Sequence, residues 1–194
     1  MIRILVVIQL LCAALLFATC ERSNMYDLAK YGLPPQSVIY IYSINPQMGN
    51  LGGRNNADSL CYKQGIVYHT FVKAGTVKAF ISISAIDEIR FLVPVQYWHF
   101  PVMGISPGMF FNSISSTWLD LWVGTAVAPI NAAVGIGTSN WWSGSNPDGS
   151  VTIDGTCSEW NKSDSGASGQ TGMAGISNAL STCDLSQFVL CVAY

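Results

Sequence analysis

The chain has 194 residues, of which 50% are hydrophobic and 10% charged, with a formal net charge of −2. That length suits one domain of ordinary size plus a leader, and eighteen Gly and eight Pro favour a loop-rich domain over a helical bundle. The nine Lys and Arg are scattered singly, which argues against a nucleic-acid surface and against a polybasic membrane patch.

Met1-Ile2-Arg3 supplies a short positive start, and residues 4–17 are almost wholly apolar, broken by Gln9. The run is shorter than the ~20 residues a spanning helix needs and has the form of a signal-peptide core, so residues 1–19 are expected to be a leader. Leu16-Phe17-Ala18-Thr19-Cys20 resembles the bacterial lipoprotein cleavage site, in which small residues precede a cysteine that is acylated and becomes the new N-terminus. The other reading is a plain secretory signal cut near Ala18, with Cys20 a spare thiol. Residues 20–36, which hold Pro34-Pro35, read as a tether reaching up to ~3.3–3.6 Å per extended residue, or as an ordinary N-terminal tail. The expected location is the bacterial outer membrane or cell surface, with the lipid as anchor.

Residues 37–194 then read as one mixed α+β domain. Residues 38–42 are a β-branched and aromatic run between Pro35 and Pro46, expected to be a buried strand. A helix is expected from Asn55 or Asn56, with Ala57, Leu60 and Cys61 on one face. Residues 77–84 alternate as a strand, and residues 87–92 suit a short helix. Residues 93–137 are apolar and interrupted by Pro94, Pro101, Pro107 and Pro129; the membrane-like stretch 119–136 contains Asp120, Gly124, Pro129 and Asn131, and is expected to be buried core instead. Asn146-Pro147-Asp148-Gly149 is a turn, residues 163–175 a Ser/Gly-rich loop, and residues 188–192 a closing strand. Cys12 falls in the leader. The mature chain keeps Cys61, Cys157, Cys183 and Cys191, an even set that reads as two disulfides in an exported protein, and spacing leaves three pairings open. A zinc site is disfavoured, because there is no CxxC pair and His69 and His99 lie far from the cysteines in sequence.

Several blocks line up with one pattern. Gly52-Gly53-Arg54, Ala57-Asp58, Cys61 and residues 77–82 resemble the opening of endostatin, the C-terminal domain of collagen XVIII. Residues 142–149 resemble its tryptophan-glycine turn, and Cys157-Ser158-Glu159-Trp160 its cysteine–tryptophan block. Gly169-Gln170 fits the loop that follows, and Thr182-Cys183 and residues 189–192 resemble its end. The middle, residues 98–133, matches poorly. With the lipoprotein-like leader, the chain resembles the leptospiral endostatin-like outer-membrane lipoprotein family. The resemblance implies an endostatin-like, C-type-lectin-like single domain stapled by two nested disulfides, Cys61 with Cys191 and Cys157 with Cys183. It implies adhesin activity toward host extracellular-matrix or serum proteins of the laminin, fibronectin, plasminogen and complement factor H class. The histidine-rich zinc site and the arginine cluster for heparin have no counterparts here, since Arg54 and Arg90 are the domain's two arginines.

Gly104-Ile105-Ser106-Pro107-Gly108 matches a nucleophile elbow in letters, but Pro107 has no N–H to give an oxyanion hole, so it reads as a turn. Asn146-Pro147-Asp148 has the letters of a calcium-dependent sugar site. Lys162 follows Trp160-Asn161 where a carboxylate ligand is wanted, so this too reads as a turn. Asn161-Lys162-Ser163 is a sequon expected to stay unused. Trp142 and Trp160 are expected in the core, and Trp141 is the candidate exposed contact. No enzyme, cofactor, metal or nucleic-acid role is expected. The two functional expectations are a binding module for host proteins and a structural envelope lipoprotein without a host ligand. Metabolic labelling with a fatty acid should mark the wild type and leave Cys20→Ser unmarked; equal labelling of both contradicts acylation at Cys20.

Overall fold

The computed structural model describes residues 38–68 and 75–194. The expected leader, the tether, Cys20 and His69 lie outside the described residues. Strand β1 (Ile39–Gln47) extends further than the apolar run alone suggests. Its side chains alternate between two cores: Tyr40, Tyr42 and Ile44 enter one, and Ile39 and Ile41 the other. A strand apolar on both faces must lie inside a sheet covered on both sides.

The remaining strands are β2 (Val77–Ala79), β3 (Val102–Ser106), β4 (Phe110–Ser115), β5 (Trp141–Trp142), β6 (Ser168–Gly172), β7 (Leu180–Thr182) and β8 (Gln187–Ala193). They form an eight-stranded sheet in the order β4-β3-β1-β8-β5-β6-β7, with β2 also on β8. The last strand is therefore central. It runs antiparallel to β1, with Tyr42 opposite Cys191. Its other side is filled by β5 in parallel and by β2 antiparallel.

The long helix α1 (Gly53–Tyr68) starts earlier than Asn55. Gly52 and Gly53 turn the chain into it with φ of 72° and 70°, a conformation glycine adopts without a Cβ penalty. Asn56 does not cap it; its amide donates to Leu51 O at 2.8 Å. Ala57 and Cys61 are buried against the sheet as the spacing implies, and the Tyr42 hydroxyl donates to Cys61 O at 3.0 Å. A Cβ at Gly65 would collide with that hydroxyl, so glycine there lets helix and strand approach.

The strand expected over 77–84 stops at Ala79 because side chains of α1 take up its backbone groups. Asp58 accepts from Ala79 N–H at 2.7 Å, and Arg54 donates to Ala79 O and Ile81 O, each at 2.7 Å. Arg54 also grips Asp87 through two bonds of 2.9 Å, the paired geometry that a guanidinium offers a carboxylate. Residues 87–92 hold a 3-10 turn over Ile89–Phe91.

The proline-broken middle contains the β3–β4 hairpin, 3-10 turns at Val95–Tyr97 and Leu119–Leu121, and the one-turn helix α2 (Ile130–Ala133). Within 119–136, Leu121, Ile130, Ala133, Val134 and Ile136 are buried, whereas Val123 and Val127 are exposed. The Ser/Gly-rich stretch is not all loop, since β6 runs through it. Its composition suits the packing: a Cβ at Gly169 would meet Trp142 at 2.7 Å, and one at Gly172 would collide with Trp141.

Cys157, Ser158, Glu159 and Trp160 form a left-handed turn, with φ of 49°, 54°, 55° and 62°. Each non-glycine residue in that region costs roughly 1–2 kcal/mol, so the turn needs outside support. Thr156 Oγ1 accepts from Glu159 N–H, Cys157 is bonded to Cys183, and Trp160 Nε1 donates to Ser82 O at 2.7 Å.

The fold is α+β, with the disulfides Cys61–Cys191 and Cys157–Cys183 closing sequence separations of 130 and 26 residues. Chain entropy alone makes the first worth about 5 and the second about 3.5 kcal/mol. Denaturant unfolding of the two double-alanine variants should show the larger loss for Cys61→Ala/Cys191→Ala. The reverse order would contradict loop-closure entropy as the main contribution.

Candidate binding surface

From residue 91 to residue 147 the chain carries one carboxylate, Asp120, one histidine, His99, and no Lys or Arg. The fold gathers most of this segment at the β3–β4 end of the sheet. The two arginines of the domain are both neutralised. Arg54 is held by Asp58 and Asp87, and Arg90 pairs with Glu88 at 2.7 Å and Asp148 at 3.6 Å.

β1 and β3 run parallel from Ile39 opposite Val102 to Tyr42 opposite Ile105. Beyond that point β1 continues along β8 while β3 turns back into β4. The divergence opens a cleft of about 420 Å³. Its walls are Ile44, Ile105, Pro107, Ile136 and Phe188, with Ser43 and Asn45 among its polar residues. Pro107 and Gly108 form the centre of a turn closed by Met109 N–H on Ser106 O at 3.1 Å, with Gly108 at φ 88°. This is the proline-then-glycine pattern of a type II turn. Gly135 has φ 76° and lies under that turn, where a Cβ would stand 2.8 Å from Ser106 Cβ.

None of the ten lining residues is acidic, basic, a cysteine, a histidine or a tyrosine. The cleft suits an apolar side chain with a hydrogen-bonding neighbour, the usual composition of a small recognition pocket. Ser106, the serine of the elbow-like motif, donates from Oγ to Phe110 O at 3.4 Å across the hairpin.

Trp141 does not present the exposed contact expected of it. It is wholly buried, stacked on Phe80 with ring centroids 5.5 Å apart, and its Nε1 donates to Met173 O at 3.3 Å. Strand alternation sends Trp141 and Trp142 to opposite faces of β5, and both faces are covered. Trp142 and Trp160 lie in the other core, 5.6 Å apart.

At the Asn146-Pro147-Asp148 turn, Asp148 accepts from Ser150 N–H at 3.0 Å and from Ser150 Oγ at 2.6 Å. The hydroxyl bond first, and the amide bond after it, hold the carboxyl below its usual range, and Arg90 adds to this. Among the described residues, no group of three His, Cys, Asp or Glu is placed to hold a metal ion.

No protein-family model matches the chain, and no curated protein matches it.

Proposed function

We propose that the protein is an exported, lipid-anchored binding module for extracellular host proteins, and that its contact surface is the cleft beyond β1 and β3. The observation that carries this reading is the position of an uncharged cleft at the end of the parallel pair opposite to where the chain enters. Entry is fixed by Ile39 N–H on Pro101 O at 2.9 Å. The cleft begins at the Tyr42–Ile105 pair, three residues further along the strands, or roughly 10 Å at 3.3 Å per residue. A domain tethered at its N-terminus would thus hold the cleft away from the surface it is tethered to.

The endostatin-like, C-type-lectin-like assignment of the fold belongs to the same proposal. In its support, the resembling blocks meet in one core. Gly52 N–H donates to Trp160 O at 2.9 Å, Gly49 N–H donates to Cys183 O at 2.8 Å, and both disulfides are nested. The cleft draws on residues 105–109, within the part of the chain that departs most from endostatin. Any ligand it recognises would therefore be this protein's own rather than the collagen domain's. With Arg54 and Arg90 already paired, charge steering would contribute little.

Titration of the oxidised full chain against laminin, fibronectin, plasminogen and factor H, at two salt concentrations and with and without chelator, tests the reading. Saturable binding that salt and chelator leave unchanged is expected with at least one of them. Asn45→Trp, which fills the rim of the cleft, should weaken it by about tenfold or more, equivalent to about 1.4 kcal/mol, at an unchanged melting temperature. The absence of saturable binding to all four would favour a structural envelope role. Binding lost with chelator would point instead to a calcium site near Asp148.

A further inference from the structure

Around the point of chain entry, opposite the cleft, aromatic and aliphatic side chains are clustered and partly open to solvent. Pro101, which receives the Ile39 amide, follows Phe100. Phe100 lies 5.5 Å from Tyr97 between ring centroids, and its carbonyl accepts from Trp118 N–H. Trp98 stacks on Phe91 at 6.1 Å, and its carbonyl accepts from Leu119 N–H. Phe91 is 56% exposed, Val95 69% and Leu119 48%. In sequence, 37 residues precede Val38, among them the apolar run 4–17 and Cys20.

The geometry points to this face as a membrane-contact surface that settles on a zwitterionic phospholipid bilayer. The inference rests on the reading of residues 1–20 as a membrane-directing leader and anchor. Two features select a neutral bilayer as the occupant. The first is place: the chain that would carry the anchor joins the domain beside Pro101, so the membrane is the nearest large partner to the Tyr97–Phe100 cluster. The second is charge. Arg90, whose guanidinium carbon sits 4.9 Å from the Phe91 ring centroid, is already paired with Glu88 and Asp148, and Asp120 adds a further negative charge beside Leu119. Among the described residues, the arginine at this face is thus already paired and would not draw it to anionic lipid. Half-exposed tryptophan, tyrosine and phenylalanine rings suit the headgroup level of a bilayer, where an apolar body and a polar edge are both satisfied. Anchoring on the same membrane would raise the effective concentration of this face at the bilayer, so even a weak contact would orient the domain and turn the cleft outward.

All six tryptophans lie between residues 98 and 160, and residues 1–37 contain none. Tryptophan emission therefore reports on the domain and not on the anchor. Four of the six, Trp118, Trp141, Trp142 and Trp160, are fully buried. The test is to reconstitute the full chain into phosphatidylcholine vesicles, with ordinary or brominated acyl chains, and to measure flotation and emission together. Co-flotation with a loss of emission in brominated lipid is expected. That loss should disappear in Trp98→Phe and in Phe91→Ser/Val95→Ser. It should persist in Leu180→Ser/Leu185→Ser, which removes exposed apolar groups in and beside β7, at the opposite sheet edge. Adding anionic lipid should not increase it.

Co-flotation without quenching would overturn the inference and leave the anchor reading standing. Failure to co-float, together with no fatty-acid label on Cys20, would overturn both. Quenching that Phe91→Ser/Val95→Ser leaves intact would overturn the assignment of this face. If that variant instead lost binding to an extracellular protein, the face would be a protein contact.

Discussion

The fold depends on its last strand being in its middle. β8 borders β1 on one side and β2 and β5 on the other, so the sheet cannot close until the C-terminus is in place. Alternate residues of β8 supply both cores: Val189, Cys191 and Ala193 to one, Leu190 and Val192 to the other. Such long-range pairing carries a loop-closure cost in the unfolded chain. The cystine between Cys191 and Cys61 reduces it by tying the central strand to α1. The smaller bridge acts locally, helping to hold the left-handed turn that brings Trp160 onto Ser82.

Because β1, β8 and β5 are buried on both faces, those faces are unavailable for recognition. What remains open is where strands end or part. The parallel β1–β3 pair gives the molecule two unlike ends, one beside the chain entry and rich in half-exposed rings, the other opened into a cleft by the divergence of the strands. Neutralising Arg54 and Arg90 with carboxylates leaves both ends with little net charge. Contact at either would depend on shape, apolar area and backbone-like hydrogen bonds rather than on steering.

The strands richest in β-branched residues were legible in the sequence, as were the buried face of α1 and the use of four cysteines in bridges. The cysteine pairing was legible only through the resemblance to endostatin. β3 was hidden because its residues are buried or half-buried throughout and show no clean alternation, and because Pro101 and Pro107 on either side of it read as interruptions. β4 was hidden because exposed Phe110, Asn112 and Ser113 are followed by buried Ile114 and Ser115 without a period of two. β6 was hidden by glycines that make room for Trp141 and Trp142. The left-handed turn at 157–160 has no glycine to announce it, since its support comes from a disulfide and a distant serine carbonyl. Trp141 was misplaced for a related reason. Its alternation with Trp142 was readable, but the cover over the second face comes from residues 80–136, whose packing the pattern did not reveal. The cleft left no signal at all, because it is formed where β1 and β3 part rather than by any run of residues.

Hydrogen exchange of the full chain, alone and bound to whichever extracellular protein it takes up, tests the polarity of the domain most directly. The account predicts added protection at residues 43–46 and 105–112, around the cleft, with the already slow amides of β1 and β8 unchanged. Protection confined to residues 144–165, where Asp148, Asp154, Glu159, Lys162 and Asp164 concentrate the charge, would contradict it.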